Sequence, residues 1–135
     1  MSSKQSIRQG VKKVERGVLY LAGPEGRVVA VIPADGRKFT YDEQCKAVGG
    51  YVETMIPAVK GRTVYVNEEG ALKQLPANEH TWNFADRRVY VDLNNYGKDW
   101  LVAGRALEIV KLTIEEAAAS DAMVGRVSIA KAVRP

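Results

Sequence analysis

The chain is poor in the residues from which small-domain chemistry is usually built. Among 135 residues there is one cysteine, Cys45, and one histidine, His80. A lone cysteine excludes an internal disulfide and any Cys-x-x-Cys redox or metal motif. A lone histidine leaves a zinc site within one chain dependent on carboxylates alone. Long apolar runs are missing too: stretches such as Val28 to Ile32 and Leu101 to Ala103 fall far short of the roughly 20 residues of a membrane span. The start, Met1 to Arg8, has charge but no apolar h-region, so neither a secretory signal nor a membrane partner is expected, and the expected location is the cytoplasm. Phosphate-loop, nucleophile-elbow and His-Glu-x-x-His patterns do not occur, and Gly23-Pro24-Glu25-Gly26 lacks the spacing of a phosphate cradle. No cofactor is expected.

What is present suits a folded domain. Hydrophobic residues make up 46% and charged residues 27%, close to globular averages, and the length suits one domain with one core. Twenty Lys and Arg against sixteen Asp and Glu leave a net charge of +4, which permits a nucleic-acid partner without requiring one. The basic residues crowd the ends: Lys4, Arg8, Lys12, Lys13 and Arg16 at the start, and Arg126, Lys131 and Arg134 near the finish. Residues 1–16 are read as a basic arm, flexible or weakly docked, because a short helix on Ile7, Val11 and Val14 is marginal without packing. Residues 17–135 are read as a single domain.

Gly17 to Leu21 and Arg27 to Ile32 have strand character around a Gly- and Pro-bearing turn, predicting a hairpin. Thr40 and Glu43 have capping-box spacing and predict a helix over 41–48, ended by Gly49-Gly50. Tyr51 to Ile56 and Arg62 to Val66 predict a second hairpin. Asn67-Glu68-Glu69-Gly70 fits a type I turn, with both carboxylates toward water. Asn78 is read as the N-cap of a helical turn through Trp82 and Phe84. Arg88 to Leu93 and Leu101 to Val110 are strand-like, with Gly104 as a turn or bulge, and Thr113 with Glu116 caps a last helix before Gly125. The fold class is therefore α+β: a small, mainly antiparallel mixed sheet with two or three short helices.

The ordered motifs Gly49-Gly50-Tyr51-Val52-Glu53, Val64-Tyr65-Val66-Asn67-Glu68-Glu69-Gly70 and Leu72-Lys73-Gln74-Leu75-Pro76-Ala77-Asn78 resemble a family of small phage and mobile-element proteins, the domain-of-unknown-function family three-eight-four-six. The resemblance covers about residues 27–110, closing on Gly104 to Val110. Asn83 to Asp99 is longer than the family pattern. The resemblance implies a phage-linked origin, a small mixed α/β fold and an accessory, counter-defence setting. It brings no activity, cofactor or catalytic residue.

Candidate sites divide three ways. The leading expectation is a non-enzymatic accessory protein that binds a host factor or sequesters a small anionic, nucleotide-like signal, with Arg62, Tyr65 and Arg87 as contacts because arginine pairs with phosphate and a ring stacks on a base. The alternative is a nucleic-acid-binding module whose arm residues Lys4, Arg8, Lys12, Lys13 and Arg16 meet phosphates while tyrosine or tryptophan rings stack on bases. The third is an enzyme of unrecognised type using Glu68, Glu69 and His80, with Glu79 or Asp86 near the imidazole. For most of the aromatic residues core packing is the simpler reading. Cys45 is read as a small hydrophobe packed on its helix. Self-association is expected to cover exposed strand edges.

Overall fold

The first strand begins earlier than its hydrophobic run suggests. In the computed structural model, which describes residues 12–23, 26–54, 62–80 and 102–134, β1 runs Lys13–Tyr20. The expected arm of residues 1–16 thus gives up its last four residues to the sheet. The physical reason is pairing across the whole length of β7 (Ala106–Thr113): Lys13 registers with Thr113 and Tyr20 with Ala106. Backbone ladder bonds tolerate Lys13, Glu15 and Arg16 where their side chains find solvent or partners.

β2 (Val28–Ile32) closes the predicted hairpin on β1, Leu19 opposite Val29. Helix α1 (Tyr41–Val48) starts where expected: Thr40 Oγ1 accepts from the Glu43 amide at 3.0 Å, and Glu43 accepts from the Thr40 amide at 2.9 Å. It ends at Gly49, φ 79°. β3 (Val52–Thr54) and β4 (Arg62–Asn67) form the second hairpin, and residues 55 and 56 of its expected first strand lie outside the described residues. Residues 67–70 turn as predicted, with the Gly70 amide donating to the Asn67 carbonyl at 3.1 Å and the Glu69 amide to Asn67 Oδ1 at 2.8 Å.

β5 (Ala77–Asn78) and β6 (Val102–Ala103) make a two-stranded patch. After β7 the second capping box opens α2 (Ile114–Met123), with Thr113 Oγ1 accepting from Glu116 at 3.1 Å. β8 (Val127–Ser128) then lies parallel to β2, and Ser128 caps the short α3 (Ile129–Ala132), which the sequence reading missed. The main sheet has the order β3-β4-β7-β1-β2-β8, antiparallel except at β2-β8. This is a small α+β fold.

Alternation sorts the side chains onto two faces. Leu19, Val31, Leu107, Ile109 and Tyr65 share one face with Phe39, Ala47, Ile129 and Ala132, so α1 and α3 cover it. Gly17 belongs to that face, where Phe39 fits because no side chain is in the way: a Cβ on Gly17 would lie 3.1 Å from Phe39 Cζ and 3.0 Å from Val31 Cγ2. The other face carries Val64, Val66 and Ala106 with Val102 and Tyr20. No helix among the described residues is long and apolar enough to cross a membrane.

Candidate functional site

At one end of the sheet the chain builds a groove of about 490 Å³ from segments far apart in sequence. Leu21 and Ala22 follow β1, Val48 and Gly49 end α1, Leu75 and Pro76 precede β5, and Ala132 and Val133 close α3. Three cations line it: Arg27 from the β1–β2 connection, Arg105 from the β6–β7 turn and Arg134 beyond α3.

A buried amide fixes this end of the molecule. Asn78 is fully buried, and its Nδ2 donates to the Tyr20 carbonyl at 2.9 Å and the Gly104 carbonyl at 3.0 Å, while Oδ1 accepts from the His80 amide at 3.1 Å. Three polar atoms near the groove are thereby satisfied away from water, as burial requires. The Gly104 amide donates to the Pro76 carbonyl at 2.8 Å, and Gly104 takes φ +95° with Leu75 packed over it, so a Cβ there would lie 2.8 Å from Leu75 Cδ1. That turn aims the next residue, Arg105, at α1. Arg105 Nη1 donates to the carbonyls of Ala47 at 3.2 Å and Lys46 at 3.4 Å, the electron-rich end of the helix. The Leu21 amide donates to the Arg27 carbonyl at 2.8 Å, holding the hairpin end together.

Two of the anion-site residues chosen from the sequence, Arg62 and Tyr65, do not come together. Arg62 and Tyr65 lie three apart on one strand and point to opposite faces. Tyr65 packs against the helix-covered core, and burial pushes its phenol up. Arg62 Nη1 donates to Glu108 Oε2 at 2.5 Å, and Tyr20 Oη donates to Glu108 Oε1 at 2.8 Å. Glu108 is 7% exposed, so this carboxylate is held by two donors inside the sheet face. Burial first, then the bond to Glu108, raises the Tyr20 phenol and keeps it a protonated donor. Arg87 lies outside the described residues.

The basic arm divides as well. Lys4 and Arg8 lie outside the described residues, and Lys12 and Lys13 are exposed. Arg16 is not available to a phosphate. At 8% exposure its Nε donates to Asp121 at 3.0 Å, and Nη1 to the carbonyls of Glu15 and Gly36 at 2.8 and 2.9 Å. Arg126 reaches the same carboxylate, its Nε 2.8 Å from Asp121 Oδ1 as an ion pair without hydrogen-bond alignment, while Nη1 donates to the Gly17 and Val31 carbonyls. The Arg16 bond, ahead of the Arg126 charge, holds the Asp121 carboxyl below the usual range.

The residues of the enzyme reading lie on two segments, and Asp86 lies outside the described residues. Glu68 and Glu69 sit in the turn, with Glu69 paired to Lys73 at 3.4 Å on an exposed helical-type spacing. His80 Nε2–H donates to the Gly26 carbonyl and its ring leans on Tyr20, centroids 5.7 Å apart. That bond fixes the tautomer and ties residue 80 to the β1–β2 connection. Cys45 is half-buried on α1, and its side chain, one turn from Tyr41, raises that phenol. Asn78 ends β5 and caps the chain as expected, its Oδ1 accepting from the amide of His80 two residues on as residues 79–80 enter a 3-10 turn, while Trp82 and Phe84 lie outside the described residues. Among the aromatics, Tyr41 and Tyr51 are exposed but neither lines the groove. No cluster of three His, Cys, Asp or Glu suited to a metal occurs among the described residues.

Sequence reasoning missed Arg27, Arg105 and Arg134 as a set. Nothing local marks them, since each comes from a different segment. The pairing of Gly104 with Arg105 was the one readable signal: a turn glycine presents the residue after it. Comparison of the chain with family models, curated proteins and solved structures finds no match in any of the three.

Proposed function

We propose that this chain is a non-enzymatic protein that binds a small anionic ligand in the arginine-lined groove, in the phage accessory setting its sequence resemblance implies. One observation carries the reading: Arg27, Arg105 and Arg134, from three separate segments, line a single cavity of about 490 Å³. That volume lies within the roughly 300–1,000 Å³ typical of small-molecule sites. An anion seated in the groove would be favoured by the charges of Arg105 and Arg134, which come from opposite ends of the described chain's second half. The guanidinium fork matches carboxylate and phosphate oxygens in pairs, which gives direction as well as charge. The Asn78 staple and the Gly104 turn support the reading by presenting a preformed site, which lowers the ordering cost of binding.

The test is calorimetric titration of the full chain with a panel of mononucleotides, inorganic phosphate and aliphatic carboxylates. At least one class should bind with 1:1 stoichiometry, and changing Arg27, Arg105 and Arg134 together to Gln should remove that binding. Silence across the panel to millimolar concentration rejects the reading. Tight binding to single-stranded or duplex nucleic acid that falls steeply with salt and depends on Lys12 and Lys13 would put the nucleic-acid module in its place.

A further inference from the structure

We infer that the occupant of this groove is a free, single-chain aliphatic anion: a saturated hydrocarbon body seated between Leu21, Val48, Leu75, Pro76, Ala132 and Val133, with a carboxylate or phosphate head at Arg105 and Arg134. The inference rests on the binding reading above and narrows it to a ligand class. The walls offer saturated carbon, drawn from the end of β1, the end of α1, the segment before β5 and α3. Saturated walls reward saturated chains, in proportion to the apolar area they remove from water. A nucleotide makes different demands. Its base needs a π-face to stack on and partners for the donors and acceptors on its edge, and polar edges left unpaired against hydrocarbon are unfavourable. Among the described residues, no aromatic side chain lines this groove.

The head group has its own place. Arg105 is oriented before any ligand arrives, because its Nη1 is anchored on the Ala47 and Lys46 carbonyls. Gly49 beside it has no side chain to intrude: a Cβ there would stand 3.9 Å from Arg105 Nη1. Arg134, exposed at the end of the described chain, adds a second cation at the same groove. Hydrophobic walls with cations alongside thus match an amphiphile in both halves of its chemistry.

The experiment titrates the full chain with hexanoate, octanoate and decanoate below their micelle concentrations, with decyl phosphate, with adenosine monophosphate, with inorganic phosphate, and with phosphatidylglycerol vesicles. Each two-carbon extension that remains within the walls should tighten binding by about tenfold. Decyl phosphate should bind at least as well as decanoate, and inorganic phosphate far more weakly than either. Arg134→Ala should weaken every chain length by a similar factor of about ten, leaving the chain-length slope intact. Ala22→Glu, which puts a carboxylate into the groove, should remove binding, with melting temperature recorded for both variants. Adenosine monophosphate binding that depends on Arg134, with alkyl anions silent, overturns the aliphatic assignment and leaves the groove reading standing. Silence of every free probe overturns both. Binding to vesicles alone, or alkyl binding indifferent to both substitutions, overturns the assignment by placing the chemistry on a membrane or elsewhere on the protein.

Discussion

Two sets of arginines show how little residue type says about role. Arg16, Arg62 and Arg126 each face a carboxylate: Asp121 for the first and third, Glu108 for the second. Arg27, Arg105 and Arg134 gather at one groove, where Arg105 meets backbone carbonyls rather than an acid. The first set is paired within the protein and links elements, β1 and the segment before β8 to α2, and β4 to β7. The second set lines a cavity. Composition counts all six equally, and only the fold shows which of them face Asp121 or Glu108 and which line the groove.

The sharpest way to break the comparison is to delete a structural arginine. Arg16→Ala removes a buried guanidinium that bonds Asp121 and two carbonyls, leaving Glu15 and Gly36 oxygens without that donor. A loss of about 3 kcal/mol is expected in urea unfolding, the range for breaking a largely buried pair with partners left behind. The same clasp predicts acid sensitivity. The folded-state Asp121 carboxyl lies below its unfolded value of about 3.9, so its contribution is fully present above that pH and drains away as the pH falls through the lowered folded value. Wild type should therefore lose stability more steeply than Asp121→Asn as the pH is lowered from about 5 toward 2. Parallel pH profiles would remove Asp121 from the clasp.

Asn78→Ala comes next in size. The change strips the Tyr20 and Gly104 carbonyls of their shared donor and leaves a small void, and about 2 kcal/mol should be lost on thermal or urea unfolding. Because that amide holds the groove end, ligand affinity should fall in the surviving folded protein as well. A stability loss with unchanged affinity would mean the groove is shaped without it. Below these stand Thr40→Ala and Thr113→Ala, each expected to cost about 1 kcal/mol as N-caps. A value near zero at either position would mean that water replaces the hydroxyl.

Those caps also show which features were legible. Both boxes are made within four residues, so Thr40 with Glu43 and Thr113 with Glu116 announced α1 and α2 at their observed starts. The turn at Asn67 to Gly70 and the two hairpins were equally local. Residues 13–16 were misplaced because strand membership there depends on β7, about a hundred residues onward, and Arg16 looked like arm charge because Asp121 is 105 residues away. His80 was matched to nearby acids, while its partner is the Gly26 carbonyl, 54 residues before it. Arg62 and Tyr65 were joined by proximity in sequence, although strand alternation was itself enough to separate them. The groove draws on segments from residue 21 to residue 134, and no short window contains it.

The smallest expected effect sharpens the comparison most. Arg134→Ala changes an exposed residue past the last helix, and among the described residues no hydrogen bond or ion pair holds its side chain. Surface substitutions of this kind change stability by no more than about 0.5 kcal/mol. Removing a cation from the groove it shares with Arg105 also relieves repulsion, so the shift should lie toward greater stability in ligand-free protein at low salt and vanish as salt screens the groove. Arg16→Ala, by the same logic, should be destabilising at every salt concentration, because its partner is a carboxylate beside it. Measuring both variants at about 20 mM and 500 mM salt sets opposite signs against each other at low ionic strength. If Arg134→Ala is destabilising at low salt, an anionic group of the protein faces it, and the second set of arginines is structural like the first.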